Sequence, residues 1–220
     1  SIRMALQSGD EPQLTALLAS RMLDDPMWQH IFQCSREKRE IGIEGIAAQM
    51  VKLSMQRYGS AMGVRCTDQG GHRIQWYCEL YSTVNFPNWW DMYRSGFACM
   101  IDEFPIVHIQ TDTRCTCLLD YIGQYEDHVL KDDKWFYLHN PVTLEKHDSV
   151  AFRDLVSTIQ NAAKAEGCGI FYRTTDSEHK KWLLDCDFVL EKEFAYKPQP
   201  LKTDGEHTDP VEFYLLTWNP

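Results

Sequence analysis

The sequence has no apolar run long enough to span a bilayer, no internal repeat and no low-complexity tract. A membrane-spanning helix and a repeat architecture are therefore not expected. Dense positive charge is missing too. The tightest basic stretch, Arg36, Lys38 and Arg39, is interrupted by Glu37 and Glu40 and reads as a solvated helix face. With 32 acidic against 22 basic residues the formal net charge is −10, which repels phosphate backbones, so no nucleic acid and no membrane is expected as a partner. Ser1 through Gln7 lack the basic segment and apolar core of a secretory signal, and a cytoplasmic location is expected. One further gap is local: no glycine occurs between Asn140 and Glu166.

Cysteine is present but not in a pattern that binds anything. Cys34, Cys66, Cys78, Cys99, Cys115, Cys117, Cys168 and Cys186 are scattered, often within apolar stretches such as Gln75-Trp76-Tyr77-Cys78. Reduced core thiols are expected. Cys115 and Cys117 have no His or Cys partner at a zinc-like spacing, so no metal is expected.

What is present is ordinary globular material. The 220 residues are 44% hydrophobic and 25% charged, enough for one sizeable core. Ile2–Leu6 alternates as a half-buried strand does. Ser8-Gly9-Asp10-Glu11-Pro12 then supplies caps and an early proline for a helix with Leu14, Leu17, Leu18 and Met22 on one face. Asp24-Asp25-Pro26 breaks it, and Met27, Trp28, Ile31 and Phe32 follow as a short apolar cluster. Ser35 is placed to cap a longer helix carrying Ile43, Ile46, Ala47, Met50, Val51 and Leu53, closed at Tyr58-Gly59. Met62–Cys66 and Ile74–Tyr81 read as strands joined through Asp68-Gln69-Gly70-Gly71. Thr83–Asp133, rich in aromatics that include Trp89 and Trp90, reads as two helices joined around Pro105. The second half alternates: strand Trp135–Val142, a helix bearing Phe152, Leu155, Val156, Ile159 and Ala163 and ended by Gly167, strand Gly169–Arg173, a helix capped by Asp176 or Ser177, a strand from Phe188, a polar loop over 197–210, and strand Val211–Trp218. Helices interleaved with strands imply an α/β domain over 1–220 with a mixed central sheet, helices on both faces and a helical insertion at about 83–133, before the central strand.

This order resembles the GCN5-related N-acetyltransferase (GNAT) superfamily. The specific matches are Asp24-Asp25-Pro26-Met27-Trp28 after the first helix, Trp135-Phe136-Tyr137-Leu138-His139 as the strand that opens the acyl-CoA motif, Ala165-Glu166-Gly167 as the following helix end, Arg173-Thr174-Thr175 on the next strand, and Asp187-Phe188 where a Gly-Phe is usual. The resemblance implies a GNAT-like mixed sheet, a small-molecule amine substrate, and acetyl-CoA or another acyl-CoA as donor. The family turn, Gln/Arg-x-x-Gly-x-Gly/Ala, lets backbone N–H groups approach the CoA diphosphate at a helix N-terminus. Here its first position falls on His147 and its small-residue positions on Asp148, Val150 and Phe152, so the acyl-CoA motif is degenerate. Asp148 repels a diphosphate, and two bulky residues disfavour positive backbone dihedrals. The Asn and Tyr that many members carry on the next helix fall on His179 and Leu183, and Leu183 has no proton to give.

Carried onto this chain, the resemblance places a CoA site at Val142, Leu144, His147, Ser149, Val150 and Ala151. His139, Tyr137 and Glu145 are the catalytic candidates, with His147 and His108 also of interest. Histidine titrates near neutrality and suits proton transfer. Tyr137 and His139 share one strand face, which serves either as core or as site. Three readings stay open: an acyltransferase acting on an amine with an eroded acyl-CoA site, a repurposed enzyme of cyclase, isomerase or lyase type that uses no CoA, and a non-catalytic binding protein.

Overall fold

The computed structural model describes residues 3–57, 60–68, 71–82, 105–130, 135–197 and 209–220. Seven strands form one sheet: β1 (Arg3–Met4), β2 (Ala61–Asp68), β3 (Gly71–Ser82), β4 (Trp135–Thr143), β5 (Gly169–Thr174), β6 (Val189–Tyr196) and β7 (Val211–Trp218). Their spatial order is β1-β2-β3-β4-β5-β7-β6. Neighbours are antiparallel except β4 and β5, which run parallel. A parallel pair needs a crossover, and α5 (Ser149–Glu166) supplies it.

Before β4 come α1 (Glu11–Met22), α2 (Pro26–Ile31), α3 (Arg36–Lys52), which runs on into a π-helical turn at Leu53–Arg57, and α4 (Pro105–Val129). After β5 comes α6 (Ser177–Leu184). The helices divide between the two faces of the sheet. Phe152, Leu155, Val156, Ile159 and Ala163 recur at helical spacing along α5, and all are fully buried against Trp76, Cys78, Leu138, Ile170 and Leu216. Gly167 takes φ 65° just past the last turn, where the Cβ of another residue would be strained. On the opposite face Leu14, Leu18 and Met22 of α1 and Ile43, Ala47 and Val51 of α3 cover Ile74, Tyr77 and Val142. Ile31 of α2 and Leu118 and Ile122 of α4 cover Val211 and Phe213. Among the described residues no helix is long and apolar enough to cross a membrane.

The feature that positions the site lies in β4. Its ladder with β5 runs only from Trp135↔Gly169 to Leu138↔Tyr172. On its other side Glu79 pairs with His139 and Tyr77 with Val142, so three steps of β4 oppose two of β3. The extra residue is a bulge at Asn140-Pro141, with Asn140 at φ 47°. Asn tolerates this region better than most residues, and Pro141 has no N–H to give a ladder. Past the bulge β4 no longer pairs with β5, and the two strands open.

Most elements agree with the pattern in the sequence, and three points differ. Ser35 stands at the N-cap of α3 but makes no side-chain capping bond, and the first turn closes through Arg39 N–H to the Ser35 carbonyl at 3.0 Å. One continuous helix follows Pro105, while the helix expected before it, with Trp89 and Trp90, and the closing Tyr58-Gly59 lie outside the described residues. The strand resuming at Phe188 runs on as far as Tyr196, because Phe194 and Tyr196 pack against the α4 cluster while Glu191, Lys192 and Glu193 stay solvated. Of the described cysteines, all free, only Cys78 is fully buried and Cys117 is exposed.

Core deletion and surface deletion on α5 separate cleanly. Phe152→Ala is expected to cost about 3–5 kcal/mol, and Val150→Ala, at a site 75% exposed, to stay within about 0.5 kcal/mol. Urea unfolding midpoints of the two variants measure the contrast.

Candidate functional site

The opening between β4 and β5 forms a cavity of about 340 Å³, within the range of small-molecule sites. Its floor is β4 from Tyr137 to Thr143 and β5 from Tyr172 to Thr174. The end of α1 and the Asp24–Trp28 step form one wall, and Thr175, Asp176 and His179 another. The Asp25 carboxylate fixes that step by accepting from Met27 N–H at 2.7 Å, with Pro26 just inside α2.

Beneath His139 sits Glu79, 1% exposed, on the same face of β3 as Tyr77 and Tyr81. Its Oε1 accepts from the Tyr77 hydroxyl at 2.8 Å. Its Oε2 accepts from the Tyr81 hydroxyl at 3.3 Å and from Asn140 Nδ2 at 3.3 Å, and lies 3.1 Å from His139 Nδ1. Ser54 Oγ stands 2.8 Å from the Tyr77 hydroxyl. An ionised carboxylate survives burial only when its oxygens are satisfied, and here four donors satisfy them. Burial first, then the neighbouring Glu79 charge, push the Tyr77 phenol well above its ordinary range, so it stays a donor. The His139 tautomer that donates Nδ1–H to Glu79 carries its lone pair on Nε2.

A partly buried ion pair braces the other side of β4. Arg173 Nη1 donates to Glu126 Oε1 at 2.7 Å, and the Tyr137 hydroxyl donates to the same oxygen at 2.9 Å. Burial holds the Tyr137 phenol well above its usual pKa, so it is a fixed donor and not a base. Across the cavity Asp25 Oδ2 accepts from the Thr175 hydroxyl at 2.8 Å. Loss of surrounding water raises the Asp25 carboxyl above its ordinary pKa, an effect its hydrogen bonds only offset in part. His179 stacks on Phe152 with ring centroids 4.5 Å apart, and its Nδ1 is 3.1 Å from the Tyr172 hydroxyl. Burial lowers the His179 pKa, which favours the neutral ring.

The residues singled out in the sequence separate into two groups. His139, Tyr137 and Val142 line the cavity. Glu145, Leu144, His147, Ser149, Val150 and Ala151 do not line it and lie on or beside the turn into α5. Glu145 is exposed, and its carbonyl accepts from Thr143 Oγ1 at 2.6 Å. The Leu144 carbonyl accepts from Arg21 at 2.9 Å. His147 Nδ1 contacts Glu178. His108 belongs to α4, and its side chain lies outside what is described. Leu183 is fully buried in the core. The turn is closed by its own side chain: Asp148 Oδ1 accepts from Val150 N–H at 3.0 Å and Ala151 N–H at 2.9 Å. Among the described residues no group of three or more His, Cys, Asp or Glu is arranged to hold a metal ion.

Glu79 and Asp25 escaped sequence reasoning as site residues. Glu79 had a signal, a lone carboxylate inside the apolar run Trp76–Tyr81, where an acid needs partners. Asp25 stood in view as a helix break, and nothing local revealed that Thr175, 150 residues away, closes over it.

No family model matches the sequence, and no curated protein matches it. Solved structures do. The C-terminal condensation domain of Ebony, solved in complex with beta-alanyl-dopamine, superposes with a TM-score of 0.64 at 12% identity, covering 100% of this chain and 98% of that one. Arylalkylamine N-acetyltransferase 2 from Aedes aegypti gives 0.57 at 10% identity, covering 99% and 98%. An N-acetyltransferase from Staphylococcus aureus Mu50 gives 0.53 at 8% identity, covering 99% and 97%. At such identities it is the fold alone that is shared, a mixed sheet flanked by helices that matches the GNAT fold.

Proposed function

We propose that this chain is an acyltransferase that moves an acyl group from a thioester to a small-molecule amine in the cavity between β4 and β5. The carrying observation is the His139–Glu79 pair at the floor of that cavity. A buried carboxylate held by four donors orients an imidazole whose Nε2 lone pair is the basic atom.

The reaction needs few parts. The amine nitrogen attacks the thioester carbonyl carbon, forming a C–N bond, and His139 Nε2 takes the amine proton. Glu79 stabilises the imidazolium that results, as an oriented carboxylate does beside any histidine base. The tetrahedral intermediate collapses with cleavage of the C–S bond, and the departing thiolate takes a proton from water. The main chain of β4 beyond Leu138, unpaired by β5, supplies N–H groups suited to the oxyanion. Tyr137, locked to Glu126, serves as a wall that keeps His139 in register.

The acceptor is proposed to be an arylalkylamine or a similarly sized aromatic amine. Trp28, Tyr137, Tyr172 and Phe213 give the lining an aromatic character, while Asp25 and Asp176 supply anionic oxygen. Two structural neighbours carry such compounds in their names, one an arylalkylamine and one a dopamine amide. Asp25 is the proposed partner of the acceptor's ammonium group on entry. A cation beside it relieves the cost of a carboxylate kept from water.

Replacing the base checks the first half of this reading. His139→Ala is expected to lower kcat by about 10²- to 10⁴-fold with KM little changed, and added imidazole is expected to restore part of the rate. Glu79→Gln is expected to lower kcat in the same direction without loss of fold by circular dichroism. Amide product is followed by mass spectrometry and thiol release by a colorimetric reagent. Equal turnover in wild type and His139→Ala removes the assignment, and no thiol release with any thioester and amine tried removes the reading.

Asp25 gives a pH signature. Its folded pKa stands above the unfolded value of 3.8. It therefore stabilises the fold fully below that pH, and the contribution is lost as pH rises through the folded value. Once charged, the carboxylate is a net cost to the fold. Asp25→Asn is expected to raise the melting temperature at pH 7, with an advantage over wild type that grows as pH climbs from about 4 to 7. It is also expected to raise the acceptor KM at least about tenfold, roughly 1.4 kcal/mol of binding. A variant less stable than wild type at pH 7 contradicts the assignment.

A further inference from the structure

The turn into α5 is where this fold offers main-chain donors to an anion, and in this chain those donors are spent. Ser149 N–H donates to the His147 carbonyl at 3.0 Å and Phe152 N–H to the Asp148 carbonyl at 3.0 Å. Val150 and Ala151 N–H both donate to Asp148 Oδ1, at 3.0 and 2.9 Å. The four leading amides of the helix are thus all satisfied from within the chain, two of them by a carboxylate. A diphosphate would have to displace Asp148 and then sit beside it.

The basic side chains around the turn are engaged as well. Lys146 pairs with Asp24 at 3.4 Å, Arg153 with Asp185 at 3.5 Å, and His147 with Glu178. These pairs are exposed and part easily, so they are not the barrier. Each nonetheless brings a carboxylate of its own, and Glu145 adds another exposed one. The barrier is Asp148, whose oxygen already occupies the position an anion's oxygen would take. Coenzyme A does not fit this turn.

The thioester-bearing part of such a donor meets no comparable obstacle. The cavity between β4 and β5 is open, and the β4 main chain beyond Leu138 is left without a β5 partner. An extended arm with amide groups can bond along such an edge. We infer that the donor used here is a pantetheine thioester that ends in a hydroxyl or a single phosphate and carries no nucleotide diphosphate, with Asp148 as the residue that excludes coenzyme A. The inference rests on the acyl-transfer reading. The chemistry is unchanged: the C–S bond of the pantetheine thioester breaks, the amide C–N bond forms, and free pantetheine thiol is released.

The test compares donors on the intact protein. S-acetyl-pantetheine, S-acetyl-4′-phosphopantetheine, the same arm mounted on a carrier-protein serine, and acetyl-CoA are each offered with an arylalkylamine panel, and binding is followed by calorimetry. Wild type is expected to use at least one of the first three with a kcat/KM at least tenfold above acetyl-CoA. The free and mounted arms separate a soluble donor from a carrier-borne one. Asp148→Gly is expected to tighten CoA binding at least tenfold while leaving S-acetyl-pantetheine binding within a factor of two. Asp148→Ser keeps a capping oxygen, removes the charge, and is expected to move CoA affinity in the same direction should the glycine variant fold poorly. Micromolar CoA binding by wild type with acetyl-CoA the better donor overturns this inference and leaves acyl transfer standing. CoA affinity unmoved in both variants overturns the role given to Asp148. Silence toward all four donors overturns the acyl-transfer reading and this inference with it.

Discussion

One irregular residue pair governs this molecule. At Asn140-Pro141 the central strand gains a residue against β3 and loses its partner on β5. Without that bulge the β4–β5 ladder would continue and the sheet would be closed where the cavity now lies. The bulge also sets side-chain direction. His139 is the last residue before it on the face of Tyr137, directly across from Glu79 in the β3 register, and Val142 returns to that face one residue late. The Asn140 side chain then joins the same cluster through its bond to Glu79, so the kink is tied to the site that it creates.

The bulge alone does not make chemistry. What it exposes is a histidine resting on a charge that the core has already accommodated. Glu79 is nearly inaccessible, and an isolated carboxylate there would neutralise itself by taking up a proton. Tyr77, Tyr81, Asn140 and His139 all lie within hydrogen-bond reach of it, and Ser54 anchors Tyr77 in turn. Such a network is worth its place only when every member is satisfied. Arg173, Glu126 and Tyr137 follow the same logic on the neighbouring strand, linking α4 to the floor of the cavity.

Much of this architecture was legible in the chain, and the parts that were not share a cause. Periodicity revealed α5 and Gly167, β4, the Asp176 cap on α6 and the terminal strand, because each is decided by residues within a turn or two. His139 and Tyr137 were legible as a shared face. Glu79 and Asp25 depend on partners brought together by the fold: His139 lies 60 residues from Glu79, and Thr175 lies 150 from Asp25. Spacing arguments do not reach that far. Asp148 shows a subtler limit. Read as a motif position it looked merely repulsive, whereas an Asp one residue before a helical apolar stripe is also a capping residue by purely local rules.

That double role explains how a helix can abandon an anion site without losing stability. A glycine-rich turn leaves its leading amides unsatisfied until a ligand arrives, and the ligand's binding energy compensates. Here the side chain of Asp148 satisfies them permanently, Phe152 fills the space inside and stacks on His179, and Val150 faces solvent at no cost. Two carboxylates complete the contrast, Asp25 lining the cavity and Glu79 buried beneath its floor. Glu79 sits beneath His139 with four hydrogen-bond partners. Asp25 accepts from the Met27 and Trp28 amides and the Thr175 hydroxyl, and burial still raises its pKa. Asp148 stands apart from both, at the helix turn.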